Sequence, residues 1–434
     1  MFKPRCVEGG DAFWQRGTRQ EIMAMKFDTV VLGGGIVGVS IAVHLQQRGR
    51  SVVLVDRKQP GNETSLGNAG LIQREGVYPY AFPRGLGTLM HYARNRSLDV
   101  RYHPHAMPTL APFLYRYWHH SHPARHAAIA RSYATLIEHC VNEHRALANA
   151  AGASALIRQS GWMKVFRSAA KRDEETRTAQ RWNEEFGVAF ESLDAAQLRQ
   201  VEPSLGGSLV GALRYTCSDS VSDPNALVTA YARYFEQLGG QFLIGDATTL
   251  EPGWKVNTER GWIDARSAVV AMGPWSDTVT TRLGYRLPLA VKRGYHMHYA
   301  TDGDARLNHP VLDVENGYLI TPMARGIRLT TGVELGHRDA PMTPDQLAAV
   351  EPIARKLFPL GARVDDEPWL GRRPCTPDMM PIIGPAGRHK DLWFAFGHAH
   401  HGLTLGPITG RLIAEMMTGA DVIADPRPFR VDRF

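Results

Sequence analysis

Residues Phe27–Asp56 read FDTVVLGGGIVGVSIAVHLQQRGRSVVLVD. Phe27–Leu32 is short, β-branched and closed by glycines, which predicts a buried strand. Ile36–Gln47 predicts a helix stopped by Gly49, and Ser51–Val55 predicts a second buried strand. A strand–helix–strand unit of about 30 residues suits a right-handed parallel crossover. Between strand and helix stands Gly33-Gly34-Gly35-Ile36-Val37-Gly38, a G-x-G-x-x-G. Gly33 permits the tight turn, and Gly35 lets the backbone approach a pyrophosphate at the helix N-terminus, where Ile36 and Val37 stand. Gly38 allows close packing of helix on strand. Asp56 ends the second strand 18 residues after Gly38, with Arg57 beside it, where a carboxylate accepts from ribose hydroxyls. An acid there opposes a 2′-phosphate, so the unit predicts NAD or FAD rather than NADP.

The rest of the chain is compatible with that reading. At roughly 100–200 residues per domain, 434 residues allow two to four domains. Hydrophobic residues at 44% and charged residues at 21% exclude wholesale disorder and coiled coil. The net charge is +7, but Lys and Arg are scattered without a block of like charge, so no nucleic-acid partner is expected. Cys6, Cys140, Cys217 and Cys375 lie far apart without zinc or redox spacing, which fits a reducing compartment. The longest apolar run, Thr29–Leu45, carries four glycines and reads as a folded core element, and no other run is long enough to span a membrane. Residues 1–25 have no clear period and read as an N-terminal extension, with Met23 and Met25 just before the first strand.

Further along, Pro123–Ala151 has helical spacing from Ile129 to Leu147 and a stop at Gly152. Lys171–Phe186 reads as a polar helix, and Asp223-Pro224 opens a helix that Gly239 ends. Gln241–Ile244, Lys255–Thr258, Ala268–Ala271, Tyr295–Tyr299, Tyr318–Ile320, Ile327–Thr331 and Leu392–Phe396 are strand-like. Strand–helix alternation at both ends, with mixed material between, predicts one α/β domain interrupted by a second. His398, His400 and His401 form H-x-H-H, but no acidic or cysteine ligand lies nearby, and no metal is expected. His119, His120 and His122 are read in the same way.

Three further stretches carry a resemblance. Gly61–Ile72, which includes Thr64, Ser65, Asn68, Ala69, Gly70 and Leu71, resembles the segment that wraps flavin in the D-amino acid oxidase-like family of FAD-dependent oxidoreductases. Val269–Ser276, with Gly273 and Trp275, looks like that family's second FAD-domain strand and turn. Trp369–Asp378, Pro381–Gly384 and the stretch with Gly397, His398, Gly402, Leu403 and Thr404 resemble bacterial D-amino acid dehydrogenases and their glycine and sarcosine oxidase relatives. The resemblance covers about Lys26–Gly419 and implies FAD. It implies a Rossmann-like FAD-binding domain made of 26–75, 200–285 and 365–434, interleaved with an α+β substrate domain made of 76–199 and 286–364.

It also implies roles. The family's G-x-R-P maps onto Gly371, Arg373 and Pro374, which makes Arg373 the anchor of a substrate carboxylate, a task suited to a guanidinium fork. Neighbouring Arg372 is read as a surface salt-bridge residue. Tyr318 matches a position whose phenol faces substrate, with a buried core tyrosine as the alternative, and His398 is expected beside the flavin. The loop Gly397–Gly402 would set a helix N-terminus where charge develops on a reduced flavin. Two departures stand out. Sarcosine-oxidase-like members bond flavin through a cysteine five residues before T-P-D, where this chain has Gly371, so non-covalent FAD is expected. The insert of roughly Gly76–Arg214 matches no characterised specificity.

The expected activity is oxidative deamination of a small amino acid, in the first instance a D-amino acid, by hydride transfer from Cα to flavin, giving a 2-oxo acid and ammonia. A secondary-amine enzyme acting on sarcosine, proline or hydroxyproline, and a flavin-bearing subunit without turnover, stay open as alternatives. The electron acceptor is left between oxygen and a quinone of the respiratory chain. A cytoplasmic protein is expected, with peripheral contact at the inner membrane face left open.

Overall fold

A computed structural model describes residues 25–434. Cys6 and all but the last residue of the expected extension lie outside them; Met25 already begins the first strand. That strand, Met25–Leu32, sits between two parallel neighbours, Val52–Asp56 and Gly261–Val270. Gln241–Glu251 extends the ladder beyond Val52–Asp56, and Leu392–Phe396 extends it beyond Gly261–Val270, both parallel. Ile382–Pro385 closes one edge antiparallel, and Lys255–Thr258 joins as an antiparallel hairpin strand. This is a seven-stranded sheet. Its central strands are covered on both faces, which is why their sequences run as unbroken apolar stretches.

The glycine motif makes the first crossover. Gly33 has φ +111°, which side chains rarely tolerate, and a Cβ at Gly38 would overlap the Gly33 carbonyl oxygen. The helix that follows, Ile36–Gln47, packs against the C-terminal helix Gly402–Thr418 and against Pro224–Gln237. Pro224–Gln237 starts as read, with Asp223 accepting from the Ala226 N–H. The expected helix over Pro123–Ala151 is two helices, Pro123–Ile137 and Cys140–Ala150, separated where His139 N bonds Leu136 O in a tighter turn. Neither proline nor glycine marks that break in the sequence.

A second, eleven-stranded sheet is built around the long strand Ala290–Thr301. Gly326–Thr330, Val333–Leu335, Leu360–Arg363 and Trp369–Cys375 all pair with it antiparallel. Two stretches assigned from sequence to the first domain belong to this sheet instead: Gly211–Tyr215 and Trp369–Cys375. The ladder to Ala290–Thr301 decides the second case, so the residues that resemble the carboxylate anchor sit on the larger sheet. The helix Met107–His120 carries two prolines, Pro108 in its first turn, where a proline is tolerated, and Pro112 past it. Among the described residues no helix is long and apolar enough to cross a membrane.

Several histidines are packed in the interior of the molecule, among them His144, His296, His398 and His401. Burial holds His144 down to about 4, His398 and His401 to about 3, and His296 to about 2. Unfolded, each returns to about 6.5 and takes up a proton below that pH, while the native ring stays neutral. Stability should therefore be full above pH 6.5 and fall, by up to about 1.4 kcal/mol per histidine per pH unit, toward pH 4. Urea midpoints between pH 7.5 and 5 measure this; a flat profile would mean the rings are protonated in the native state.

Candidate active site

The strands of the seven-stranded sheet end on a cavity of about 1100 Å³, which reaches across to the larger sheet. On the glycine side it is lined by Gly33, Gly35, Ile36, Val37, Asp56 and Arg57. The Asp56 carboxylate accepts from Gly34 N at 2.6 Å and from Lys58 N at 3.0 Å, so it fixes the glycine turn while facing the cavity. A carboxylate has lone pairs beyond those two bonds to offer. The helix Ile36–Gln47 has no acidic residue in its first turn and no cap from Gly35. Ser65 Oγ instead accepts from Ile36 N at 3.0 Å, a capping contact supplied from 29 residues away. Gly35 N and Val37 N have no protein partner among the described residues. Orphan N–H groups, a bare helix N-terminus and a glycine cradle suit a pyrophosphate.

Residues 61–72 wrap this side. Thr64, Ser65, Asn68, Ala69 and Leu71 line the cavity. The loop is held by its backbone: Arg328 Nη1 donates to Asn68 O, and Thr321 Oγ1 donates to Ala69 O at 3.1 Å. Gly273 and Trp275 also line it, and the Arg57 guanidinium lies 4.3 Å from the Trp275 ring centroid.

Across the cavity, Cys375 forms an isolated bridge with His398, and Ala399 N donates to Pro374 O at 2.8 Å. The strand Trp369–Cys375 and the loop before the C-terminal helix are thus stitched together. Gly402 and Leu403 line the cavity at the start of that 17-residue helix, which has neither a side-chain cap nor an acidic first turn. His398 lines the cavity as a neutral ring, with Nε2 3.0 Å from Thr409 Oγ1. Arg373 lines it too. Its Nη1 donates to Gly332 O at 3.0 Å and Arg293 O at 3.4 Å, and its Nη2 and Nε have no protein partner among the described residues. Burial lowers its pKa from the usual arginine value, yet among the described residues no carboxylate pairs with it.

Five expected site residues do not reach the cavity. Tyr318 is a core tyrosine whose hydroxyl donates to Asp313 Oδ2 at 3.1 Å; Leu319, one residue on and facing the other way, lines the cavity instead. Thr404 uses its hydroxyl to accept from Gln73 N and donate to Leu71 O, both at 3.2 Å, so it anchors the wrapping segment from behind. Gly38 serves packing, and Gly70, at φ +76°, donates to Asn68 Oδ1 at 2.9 Å within the loop. Gly397, at φ +84°, turns the chain before the cavity. Arg372 is not in a surface salt bridge: its Nε donates to Arg338 O at 2.9 Å, its guanidinium is 5.8 Å from the Trp275 centroid, and it lines the cavity. Residues that the sequence reading passed over also line it, among them Tyr80, Tyr117, Lys164, Glu175 and Lys292. Lys292 lies in a strand whose start, Ala290, is five residues before the Tyr295 read from the sequence.

The profile of the FAD dependent oxidoreductase family (DAO) matches residues 28–416. The chain belongs to this family. Of its relatives, a D-amino-acid oxidase of Bradyrhizobium diazoefficiens is 31% identical over 93% of this chain and 98% of that protein. A D-amino acid dehydrogenase of Chromohalobacter salexigens is 29% identical over 93% and 99%. The solved L-proline dehydrogenase from P. horikoshii shares the fold at TM-score 0.72 and 20% identity, over 95% of this chain and 99% of that one. In this FAD-dependent oxidoreductase the glycine turn and Arg373 thus line one cavity.

Asp56→Ala removes a charged acceptor from the glycine turn. FAD binding should weaken by about 1.5–3 kcal/mol, as for hydrogen bonds to charged groups. Apoprotein titrated with FAD by fluorescence measures it; unchanged affinity would remove Asp56 from the cofactor site.

Proposed function

We propose that the protein oxidatively deaminates a small amino acid, in the first instance a D-amino acid, to a 2-oxo acid and ammonia. The observation that carries this reading is Arg373: a half-buried guanidinium in the FAD cavity with its outer fork free and no acidic partner among the described residues. Two parallel hydrogen bonds from that fork match the planar α-carboxylate of an amino acid. The relatives named D-amino-acid oxidase and D-amino acid dehydrogenase support the same reaction class. Bound FAD supplies the two-electron oxidant for the α-carbon of the neutral amine, and water hydrolyses the imine that results.

The chain's own residues bind and orient. Carbonyls of Gly332 and Arg293 fix Nη1 of Arg373, so the fork presents one direction to the substrate. The neutral rings of His398 and His400, which line the cavity, add no positive charge beside it that would repel an ammonium group before it loses its proton. Positioning of this kind supplies much of the acceleration in a cofactor enzyme. The same anchor would serve a secondary amine, so sarcosine and proline belong in the substrate panel. Cofactor attachment is read as non-covalent, because Gly371 offers no side chain at the position where related enzymes carry cysteine. For the electron acceptor, oxygen and a quinone are separated by the rate of aerobic reoxidation.

Acid precipitation should release the yellow cofactor into the supernatant; colour in the pellet would mean a covalent bond. Anaerobic mixing with D-amino acids should bleach the flavin in the native protein. Arg373→Ala should keep FAD but lose at least 100-fold in kcat/KM, about 2.7 kcal/mol, with both KM and the reduction rate affected. Arg373→Lys should recover only part, since a point charge does not reproduce the fork. Near-normal reduction by Arg373→Ala would overturn the assignment.

A further inference from the structure

Lys292 is the residue that the proposed reaction leaves unused. It stands directly opposite Arg373 in the antiparallel ladder between Ala290–Thr301 and Trp369–Cys375. Residues opposed in this way project to the same face, with Cβ atoms about 4.5–5.5 Å apart. Both line the cavity. The Lys292 ammonium lies 4.1 Å from the Tyr117 ring centroid and 3.8 Å from Met379 Sδ. Neither Lys292 nor Arg373 has a carboxylate within ion-pair distance among the described residues. The acids that line the cavity nearby are engaged elsewhere. Glu175 pairs with Lys164 at 2.9 Å and Lys171 at 3.5 Å, and Asp99 accepts from Tyr92 at 2.8 Å and from Ser97.

Two cations facing each other across a ladder repel, and among the described residues no carboxylate pairs with either. Room for the pair is built into the strand: at Gly294 a Cβ would come within 2.8 Å of both Arg373 terminal nitrogens. Tyr117 is itself fixed, donating to Tyr80 O at 2.6 Å, so the ring holds the lysine head toward the cavity rather than letting it fold away. The charge pattern asks for a ligand with two negative groups and one reacting amine.

We propose that the substrate is an amino dicarboxylate of the aspartate or glutamate kind, with Arg373 on the α-carboxylate and Lys292 on the side-chain carboxylate. This rests on the amino-acid oxidation proposed above. Lys292 is then a specificity-determining residue, and its guanidinium neighbour the general anchor.

The test compares each acid with its amide. Holoenzyme is mixed anaerobically with D-aspartate, D-asparagine, D-glutamate, D-glutamine and D-alanine, and flavin reduction is followed against concentration. The native protein should favour at least one acid over its amide by 10-fold or more in kcat/KM. Lys292→Met should collapse that ratio by at least 10-fold. Without turnover, succinate or malonate should perturb the flavin spectrum at concentrations at least 10-fold lower than butyrate, and Lys292→Met should abolish the difference. Amides or alanine reduced as well as the acids, with no dicarboxylate preference, would overturn this inference and leave the amino-acid reading intact. A Lys292→Met defect equal for acids and amides would place the lysine on the shared α-carboxylate and also overturn it. Failure of every amino acid, sarcosine and proline included, would sink both readings. If Lys292→Met does not hold FAD, the acid-to-amide ratio and the dicarboxylate spectra of the native protein decide alone.

Discussion

Everything at the centre of this protein depends on three parallel strands ending level. Leu32 pairs with Val270, and Val270 with Phe394, so the chain leaves the sheet three times at one edge. The first exit is the glycine turn, the second the Gly273–Trp275 turn, the third the loop that carries His398. The exits are bound to one another: Ala271 N donates to Leu32 O at 2.8 Å, and a Cβ at Gly33 would overlap the Ala271 carbonyl. Ligands of open α/β sheets bind beyond the carboxyl ends of the strands, where side chains and helix N-termini converge without competing for sheet hydrogen bonds. Two helices start at this edge, and neither spends its first N–H groups on an acidic cap. The protein withholds anions where a phosphate or a developing negative charge is to be placed.

The electrostatics of the cavity follow the same economy. Positive charge comes from arginine and lysine, while the histidines of the His398–His401 loop are kept neutral by burial. Where a lysine lies deep without a ligand in prospect, it is given an acid, as Lys164 is given Glu175. Contrast within one cavity between paired and unpaired cations separates structural charge from charge held ready for a partner.

What could be read from the sequence was local. The glycine turn, its helix and Asp56 lie within 30 consecutive residues, and their geometry is set by backbone sterics and by spacing. The helix read as Lys171–Phe186 was equally legible from its polar run; it spans Ala169–Phe186, capped by Ser168 and closed by Gly187 at φ +66°. The larger sheet was not. Which of Tyr318 and Leu319 faces the cavity depends on register with Val311–Asp313 and Gly326–Thr330, far away in the chain. A strand's side chains alternate, so an error of one position reverses every assignment. Lys292 is unremarkable until its partner across the ladder is known to be Arg373. Thr404 shows the same limit on a helix, since its hydroxyl turns to the wrapping segment behind the cavity.

The stitch between Cys375 and His398, reinforced by Ala399 on Pro374, has a consequence for how such a protein can change over time. It ties the strand bearing the arginine to the loop beside the cofactor through main-chain atoms, which are indifferent to side-chain identity. The spacing between Arg373 and the loop bearing His398 is therefore inherited with the backbone. Substitutions at positions such as 292, 117 or 80 alter only what lies beyond that fixed span. A lineage carrying this arrangement can exchange one side-chain preference for another while the reacting bond keeps its place, so the chemistry is conserved by architecture and the diet is left to drift.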